Sequence, residues 1–387
     1  MFLLKIVCRT KGKKLLLQTI KEIVTMQSGL RNALLRHEGV SNGVSLYTLD
    51  CPGAINKYMV VSHSTSRELM RSPEVVGFDA YQALLAPTSE TLRFLLNQGL
   101  SSRVNIFTIL RGGLNYPLEE CCHEVGIQVD NIDFFSCERV FDGDAITGLD
   151  IRYEKVASAQ DCTLLIGDIF ASGSTFAHCF RHFVSELDRQ GGCLRRVVFF
   201  TVGGTRLLPL AESLTEEMRE LWPGFEGFTC IFYEGIFSVY EDHGCTGVNR
   251  PEVDFGWQNG VVSPEFRRCV LEDDDALFEK CIIYDGGARR YTIPEHYEEV
   301  VEYWESIREA ADSTSMDAFV SEKLGYDEPS DFDSWLALTH YASLPVEEMK
   351  SLYALESTFR QHASGLSLAA VAERRLEEFT AVIGKYR

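Results

Sequence analysis

The sequence predicts an α/β protein built on a parallel sheet and followed by an all-helical C-terminal region. Three apolar runs, at residues 104–110, 163–166 and 197–202, each end in a polar turn that contains glycine. Such runs are typical of strands buried on both faces of a parallel sheet. The segment between the last two runs has the spacing of a helix, with apolar residues three or four apart at Phe176, Cys179, Phe180 and Phe183. The same spacing recurs throughout residues 294–387. Strand, helix and strand in this order predict a right-handed crossover.

The composition narrows the class of protein. The 387 residues carry a net charge of −20, which argues against general binding to nucleic acid or to membranes because both are anionic. The 12 cysteines follow no metal-ligand or disulfide spacing, and no run approaches the ~20 apolar residues of a membrane span. Because the amino terminus does not have the pattern of a secretion signal, we expect a cytoplasmic protein.

We expect three segments along the chain. Residues 1–99 are predicted to form a mixed α/β N-terminal extension, residues 100–289 an α/β core and residues 290–387 the helical region. In the extension, the pattern predicts a strand at residues 58–61 and a helix at residues 88–98 that ends at Gly99.

The helical region begins near Pro294, which suits the first turn of a helix. Helices are predicted at residues 295–311, 315–324, 333–341, 346–361 and 367–386. Nothing in this region indicates chemistry. It could cover the core, form the contact of a homodimer or bind a partner protein.

Residues 163–176 carry the clearest chemical signal. The apolar run leads into Gly167 and Asp168, a short spacer, and the polar turn SGST at residues 172–175, where a helix is predicted to begin. Such a turn offers backbone N–H groups, hydroxyls and the positive end of a helix dipole, which together bind phosphate. No lysine precedes Ser174 as it would in a Walker loop, and the G-x-G-x-x-G dinucleotide pattern is absent.

This stretch resembles the phosphoribosyl pyrophosphate (PRPP) loop of type I phosphoribosyltransferases. The matching residues are Gly167, Asp168, Ile169, Phe170, Ala171, Ser172, Gly173, Ser174 and Thr175. The resemblance implies that residues 171–175 bind the 5′-phosphate and that Asp168 accepts hydrogen bonds from the ribose hydroxyls. The first of the two positions that are usually acidic in the family is Gly167 here, which leaves one carboxylate. The alternative is a strand-to-helix turn that binds no ligand.

A second loop strengthens the resemblance. Residues 104–110 lead into Arg111, Gly112 and Gly113; glycine lets the backbone approach a ligand, and arginine offers a planar cation to phosphate oxygens. Type I phosphoribosyltransferases carry a comparable loop upstream of the PRPP loop, and it binds pyrophosphate. The resemblance therefore implies that Arg111 and the two glycine amides hold the leaving pyrophosphate, and that Mg²⁺ neutralises it while contacting Asp168 indirectly through PRPP.

Two further segments contribute candidate residues. Residues 138–152 are polar and of loop length, where the family has a mobile loop that closes over the site. Arg139, Arg152 and Lys155 are candidates to reach the pyrophosphate; the alternative is a long hairpin with exposed charges. In the turn-rich segment 237–268, Asp254 and Trp257 could hydrogen-bond to a base and stack on it; the alternative is that the aromatic side chains of this segment pack onto the core.

The resemblance implies transfer of a 5-phosphoribosyl group from PRPP to a nitrogen nucleophile, a nucleobase or related heterocycle, with release of pyrophosphate. Such a site works by positioning and electrostatics. The alternative is a catalytically weak protein that senses PRPP or a nucleotide and signals through the helical region. Arg111 favours the enzyme, because a sensor need not hold the leaving group, whereas Gly167 favours the sensor.

Overall fold

A ten-stranded sheet forms the centre of the protein. The computed structural model describes residues 30–386 except 31, 143–144, 158–159, 240–254 and 281–287. The strands are β1 (Leu34–Ser41), β2 (Val44–Asp50), β3 (Lys57–Ser62), β4 (Arg103–Ile109), β5 (Gln128–Asp142), β6 (Ala145–Lys155), β7 (Cys162–Gly167), β8 (Leu194–Gly204), β9 (Gly227–Val239) and β10 (Phe255–Val262). Their order across the sheet is β1-β2-β3-β9-β8-β7-β4-β5-β6, and β10 pairs with β9.

The middle of the sheet is parallel, as predicted. The neighbours from β3 through β9, β8, β7 and β4 to β5 all run parallel, whereas β1, β2, β6 and β10 pair antiparallel. Residues 163–167 of β7 are buried without alternation, because helices cover both faces of the sheet. The predicted α/β class with a mostly parallel sheet is therefore confirmed.

Thirteen helices lie within the described ranges. They are α1 (Ser64–Arg71), α2 (Gly77–Gln82), α3 (Leu85–Asn97), α4 (Leu118–Val125), α5 (Ser174–Arg189), α6 (Leu207–Leu221), α7 (Pro264–Leu271), α8 (Ala288–Tyr291), α9 (Ile293–Ala310), α10 (Met316–Leu324), α11 (Phe332–Thr339), α12 (Val346–Ala363) and α13 (Leu368–Ile383). A 3₁₀ turn, Gly112–Asn115, follows β4.

The strand order creates a switch point between β4 and β7. From β4 the chain moves to β5 on one side; after the β5–β6 hairpin it returns to β7 on the other side of β4 and continues outward through β8 and β9. Connections that leave in opposite directions open a crevice at the carboxyl ends of the two strands. Open α/β sheets bind ligands in such crevices.

Aromatic packing fixes helix α5 against the strands beside this crevice. Phe107 of β4 lies 5.0 Å from the ring of Phe183 and 5.2 Å from that of Phe135. Phe183 belongs to the periodic set seen in the sequence, and its side chain is fully buried. Burial of large aromatic side chains stabilises the fold by roughly 2–3 kcal/mol each. The start of α5, which follows the predicted phosphate loop, is thereby held in place.

The C-terminal helices confirm the predicted helical region. Helix α10 begins after Ser315, whose hydroxyl accepts the Ala318 N–H, and it ends before Gly325 with φ +82°. Helix α13 begins in the same way after Ser367. These capping residues are local signals, which is why the sequence located the helices closely.

The helical region packs on the sheet and does not stand apart. The Tyr341 hydroxyl donates to the carbonyl of Val262 at 2.8 Å. Against the edge strand β1, the Leu35 N–H donates to the His340 carbonyl at 3.0 Å, and the Ser343 hydroxyl donates to the Leu35 carbonyl at 2.6 Å. The N-terminal strands β1–β3 likewise belong to the same sheet as β4–β10.

Arg267 on α7 joins the helical region to the core. Its side chain is 3% exposed. The guanidinium donates to the hydroxyls of Tyr341 (3.1 Å) and Tyr326 (2.7 Å) and to the carboxylate of Glu356 (2.8 Å). The ring of Trp257 lies 5.0 Å from the guanidinium carbon. This cation is therefore neutralised and hydrogen-bonded within the interior.

Candidate functional site

The two loops singled out in the sequence meet at the switch point. Gly112 follows β4 and Asp168 follows β7, and their strands pair in parallel. A Cβ atom placed on Gly112 would lie only 2.5 Å from Asp168 Oδ1, so the carboxylate lies directly against the glycine backbone. Residues 56 positions apart in the sequence are thus adjacent at the carboxyl ends of β4 and β7.

Close packing also requires glycine at the second position of this turn, Gly113. A Cβ atom there would lie 2.9 Å from the Thr108 side chain and 3.1 Å from the Gly167 carbonyl oxygen. Any larger residue would push the turn away from β7. The pair of glycines therefore lets the turn after β4 approach the end of β7 closely.

Tyr116 occupies the space beside Gly167. A Cβ atom on Gly167 would lie 2.4 Å from Tyr116 Cβ. The Tyr116 side chain is buried, and its hydroxyl accepts the Val202 N–H at 3.0 Å. The position that is usually acidic in the resembled family is thus closed to a side chain in this fold. The sequence alone gave no signal of Tyr116, because the contact spans 51 residues.

The loop before α5 requires Gly173. This residue has φ +77°, and a Cβ atom there would lie 2.2 Å from Phe170 Cζ. Phe170 itself is buried against the rings of Phe176 and Phe199. Both the left-handed backbone and the packed ring therefore exclude a side chain at residue 173.

The N-terminal end of helix α5 exposes polar groups to solvent. Its N-cap, Gly173, supplies no side-chain hydrogen bond to the first N–H groups. The hydroxyls of Ser172 and Ser174 lie 3.3 Å apart; Ser174 is exposed, while Ala171, Ser172 and Thr175 are partly exposed. Uncapped N–H groups beside hydroxyls at the positive end of a helix dipole can bind an anion.

Asp168 has an unusual environment for a carboxylate. Burial raises its pKa to about 7, partly opposed by the Ile169 N–H, which donates to Oδ1 at 2.9 Å. Within the described parts of the chain, no basic side chain forms an ion pair with it. A carboxylate held in this way gains from any ligand that donates hydrogen bonds or brings positive charge.

Arg111 directly precedes the glycine pair of the turn after β4. Its side chain is exposed, and its carbonyl accepts the Leu114 N–H at 3.0 Å, which closes the 3₁₀ turn. Among the described residues its guanidinium has no carboxylate partner, in contrast to Arg103 at the other end of β4, which pairs with Asp130 at 3.0 Å. An exposed guanidinium beside a glycine turn can bind phosphate oxygens.

The segment that was predicted to be a mobile loop or a long hairpin is the antiparallel β5–β6 hairpin. Arg152 is exposed and pairs with Glu138 and with Asp150, both at 2.9 Å. These partners raise the pKa of Arg152, led by the hydrogen bond to Glu138. Lys155 is exposed at the end of β6; for Arg139 only the backbone, in β5, lies within the described part. For all three residues, a role toward pyrophosphate stays a prediction.

The two candidate base-binding residues have different outcomes. Asp254 lies outside the described residues. Trp257 is 8% exposed and packs with its ring 5.9 Å from that of Phe266. Its place on the Arg267 guanidinium matches the alternative of aromatic packing onto the core, and its role toward a base stays a prediction.

Two other kinds of site are absent from the described ranges. There, no group of three or more His, Cys, Asp or Glu side chains is arranged to hold a metal ion. None of the helices that the structure describes is both long and apolar enough to cross a membrane.

Comparison with known proteins gives only distant similarities. No family model matches the chain, and no curated protein matches it. Among solved structures, a hypoxanthine phosphoribosyltransferase from Staphylococcus aureus is similar at 13% identity and TM-score 0.26, over 41% of this chain and 77% of that one. A purine phosphoribosyltransferase from Pyrococcus horikoshii is similar at 17% identity and TM-score 0.22, over 32% and 70%. The hypoxanthine-guanine phosphoribosyltransferase of L. donovani is similar at 10% identity and TM-score 0.26, over 42% of this chain and 82% of that one.

Proposed function

We propose that this protein transfers a 5-phosphoribosyl group from PRPP to a ring nitrogen of a heterocyclic acceptor and releases pyrophosphate. The observation that carries the proposal is the contact between Gly112 and the Asp168 carboxylate at the switch point. This contact brings together two loops, each suited to binding one phosphate group, with the Asp168 carboxylate between them. PRPP has that arrangement of groups, because its ribose separates a monophosphate from a pyrophosphate.

The 5′-phosphate would bind at the start of α5. The N–H groups of residues 171–175 and the hydroxyls of Ser172, Ser174 and Thr175 would donate to its oxygens. Gly173 lets the backbone turn tightly enough for these groups to converge. This part of the proposal is supported by the uncapped helix end.

Asp168 would accept hydrogen bonds from the ribose hydroxyls. As the bond to pyrophosphate breaks, the ribose ring gains positive charge, and an ionised carboxylate beside it lowers the energy of the transition state. Substrate binding would therefore shift Asp168 toward its ionised form, against the burial that now raises its pKa.

The pyrophosphate would lie on Arg111 and the amides of Gly112 and Gly113. Mg²⁺ suits this place, since it is commonly held by one carboxylate and several phosphate oxygens, and here it would contact Asp168 through PRPP. Closure of the β5–β6 hairpin would bring Arg139, Arg152 or Lys155 toward the same group and exclude water. For Arg152 this requires exchange of its carboxylate partners for phosphate oxygens.

The acceptor is a small heterocycle, with Asp254 and Trp257 as the candidate contacts. We further propose a cytoplasmic protein without a nucleic-acid partner, consistent with the net charge of −20. The helical region is the candidate surface for a homodimer or a partner protein.

One observation favours a second function, a PRPP or nucleotide sensor with little catalytic activity. Tyr116 fills the space in which the family's other acidic residue would stand. A site with a single carboxylate binds the ribose but provides less negative charge to the transition state. Such a protein would bind PRPP and release pyrophosphate slowly or not at all.

The test is calorimetric titration of PRPP with Mg²⁺ into wild type, Asp168→Ala and Asp130→Ala. Asp130 is the matched control, because it lies at the opposite end of the sheet in an ion pair with Arg103. We expect binding to wild type and to Asp130→Ala, and binding at least tenfold weaker to Asp168→Ala, since hydrogen bonds to a charged group contribute about 1.5–3 kcal/mol each. Absence of PRPP binding to wild type would overturn the proposal.

Pyrophosphate release then separates enzyme from sensor. Wild type is incubated with PRPP, Mg²⁺ and each of a panel of purine and pyrimidine bases. Release that depends on one base identifies a transferase and its acceptor. Tight PRPP binding without release for any base favours the sensor.

A further inference from the structure

Helix α8 brings an arginine to the turn that follows β4. The Arg290 guanidinium donates to the carbonyl of Leu114, within the Gly112–Asn115 turn. It lies 4.2 Å from the centre of the Tyr81 ring and 4.9 Å from that of Tyr291. A guanidinium between two aromatic faces is held by cation–π attraction and loses few rotamers on binding its acceptor.

The neighbouring residue anchors α8 to the body of the protein. Arg289 is 1% exposed and donates to the carbonyls of Leu69 and Ser72, at the C-terminal end of α1. Basic side chains at the last carbonyls of a helix are stabilising there, because those carbonyls lack intrahelical donors. Helix α8 is thus fixed on one side, and Arg290 extends from it toward the turn.

We propose that Arg290 is a positioning residue for the pyrophosphate turn. By binding the Leu114 carbonyl it fixes the carbonyl end of the turn, and this holds the amides of Gly112 and Gly113 at the crevice beside Asp168. The helical region is thereby part of the site, although it contributes no atom to the reaction. This inference rests on the proposed function, since it concerns the same pyrophosphate subsite.

The positive charge of Arg290 also favours the binding of pyrophosphate. The chain has 57 acidic and 37 basic residues, so its overall field opposes an anionic ligand. A cation bound at the carbonyl end of the turn offsets part of that field close to the place where pyrophosphate would bind. Loss of Arg290 would therefore weaken pyrophosphate binding more than binding at the start of α5.

The test measures two ligands separately by calorimetry, pyrophosphate with Mg²⁺ and ribose 5-phosphate. The variants are Arg290→Ala, Arg290→Lys and Tyr81→Leu, with Arg103→Ala as a control that removes the same charge at the opposite end of the sheet. We expect Arg290→Ala to bind pyrophosphate roughly tenfold more weakly, as for loss of one hydrogen bond from a charged donor. Ribose 5-phosphate binding stays within about twofold, and lysine restores most of the pyrophosphate affinity.

The outcomes separate the inference from the proposed function. If wild type binds neither ligand, the proposed function fails and the inference fails with it. If wild type binds both but Arg290→Ala matches wild type, or weakens both ligands equally, only the inference is overturned. An equal loss in Arg103→Ala would also overturn it, because charge alone would then explain the effect. Tyr81→Leu keeps the arginine and removes one ring that holds it, so we expect a smaller loss of pyrophosphate affinity.

Discussion

Arg267 and Asp168 are both charged groups withdrawn from water, but their surroundings differ. The Arg267 guanidinium donates to two hydroxyls and to Glu356, and Glu356 in turn accepts the Trp335 indole N–H at 2.9 Å. Although burial opposes it, the pKa of Arg267 is raised by Tyr326, Tyr341 and Glu356. Asp168 receives one backbone N–H, and its pKa is raised to about 7 by burial.

The difference distinguishes a charge that serves the fold from one kept for a ligand. A buried cation that is already hydrogen-bonded within the protein and paired with a carboxylate gains little from a further ligand, so its function is to connect elements. A carboxylate that is short of donors costs stability until a ligand supplies them, which is typical of binding and catalytic sites.

Replacing Arg267 is expected to be the most damaging change. Arg267→Met leaves the Glu356 carboxylate buried without its main partner, and such losses cost about 3–5 kcal/mol of the free energy of unfolding. Denaturant unfolding followed by circular dichroism measures this cost. The double variant Arg267→Met with Glu356→Gln should recover only part of it, because it removes the unpaired carboxylate but also the carboxylate that pairs with the buried Arg360 at 3.3 Å. A loss below about 1 kcal/mol would show that the pair is not a structural link.

Gly167→Asp should fail to restore the family pattern. The new Cβ atom would lie 2.4 Å from Tyr116 Cβ, so we expect a loss of about 1–3 kcal/mol from overpacking. Gly167→Ala is the matched control, since it introduces the same clash without a charge, and it should lose a similar amount. Tighter PRPP binding by Gly167→Asp at unchanged stability would contradict this account of the site.

Asp168→Asn should make the ligand-free protein more stable above neutral pH. The folded-state pKa of about 7 exceeds the ordinary value of 3.8, so the folded state holds a proton that the unfolded chain releases. Stability due to this group therefore falls as pH rises from about 4 to about 7. Because the Asp168 carboxyl group is partly exposed, solvent reduces the size of this effect. We therefore expect the variant to gain on the order of 1–2 kcal/mol at pH 8 and nothing at pH 4.

Thermal unfolding of wild type and Asp168→Asn across this pH range measures the effect as a difference. The difference is needed because burial also raises the pKa of Glu234 and of Glu279 to about 7, which adds pH dependence common to both proteins. Equal stability of the two proteins at pH 8 would mean that Asp168 is not strained by its surroundings. PRPP binding should be lost in the variant although its stability rises.

Arg152→Ala should have the smallest effect on the fold. Its partners Glu138 and Asp150 are exposed, and exposed ion pairs contribute little. We expect an unchanged unfolding midpoint but weaker pyrophosphate binding if the hairpin closes over the site. Glu138→Gln removes one of the two carboxylate partners of Arg152 and serves as the opposite control, with equal or tighter binding of pyrophosphate. If Arg152→Ala binds pyrophosphate as tightly as wild type does, Arg152 is not part of the site.

The sequence predicted the features that depend on local signals. Ser315, Gly325 and Ser367 mark helix ends by capping, and the apolar runs before Arg111 and Asp168 mark buried parallel strands. The two loops proposed to bind phosphate could be recognised as candidates because each is continuous in the chain. The polar residues of the β5–β6 hairpin fit both a loop and a hairpin, so the sequence alone does not decide between the two.

What the sequence missed depends on contacts between distant residues. Tyr116 fills the space at Gly167 from 51 residues away, and Arg290 reaches Leu114 across 176 residues. Neither belongs to a local motif, so no periodicity or spacing marks it. The helix predicted at residues 88–98 begins earlier, at Leu85, because Pro87 lies in its first turn, where proline is tolerated.

The hydrogen bonds between residues 340–343 and Leu35 have a consequence for how the chain can be shortened. β1 is an outer strand of the sheet, and an outer strand with open N–H and C=O groups is a template for pairing with another molecule. The His340 carbonyl and the Ser343 hydroxyl occupy both backbone groups of Leu35. A fragment ending before residue 340 would keep every strand and both phosphate-type loops, yet it would expose this template and self-associate through β1.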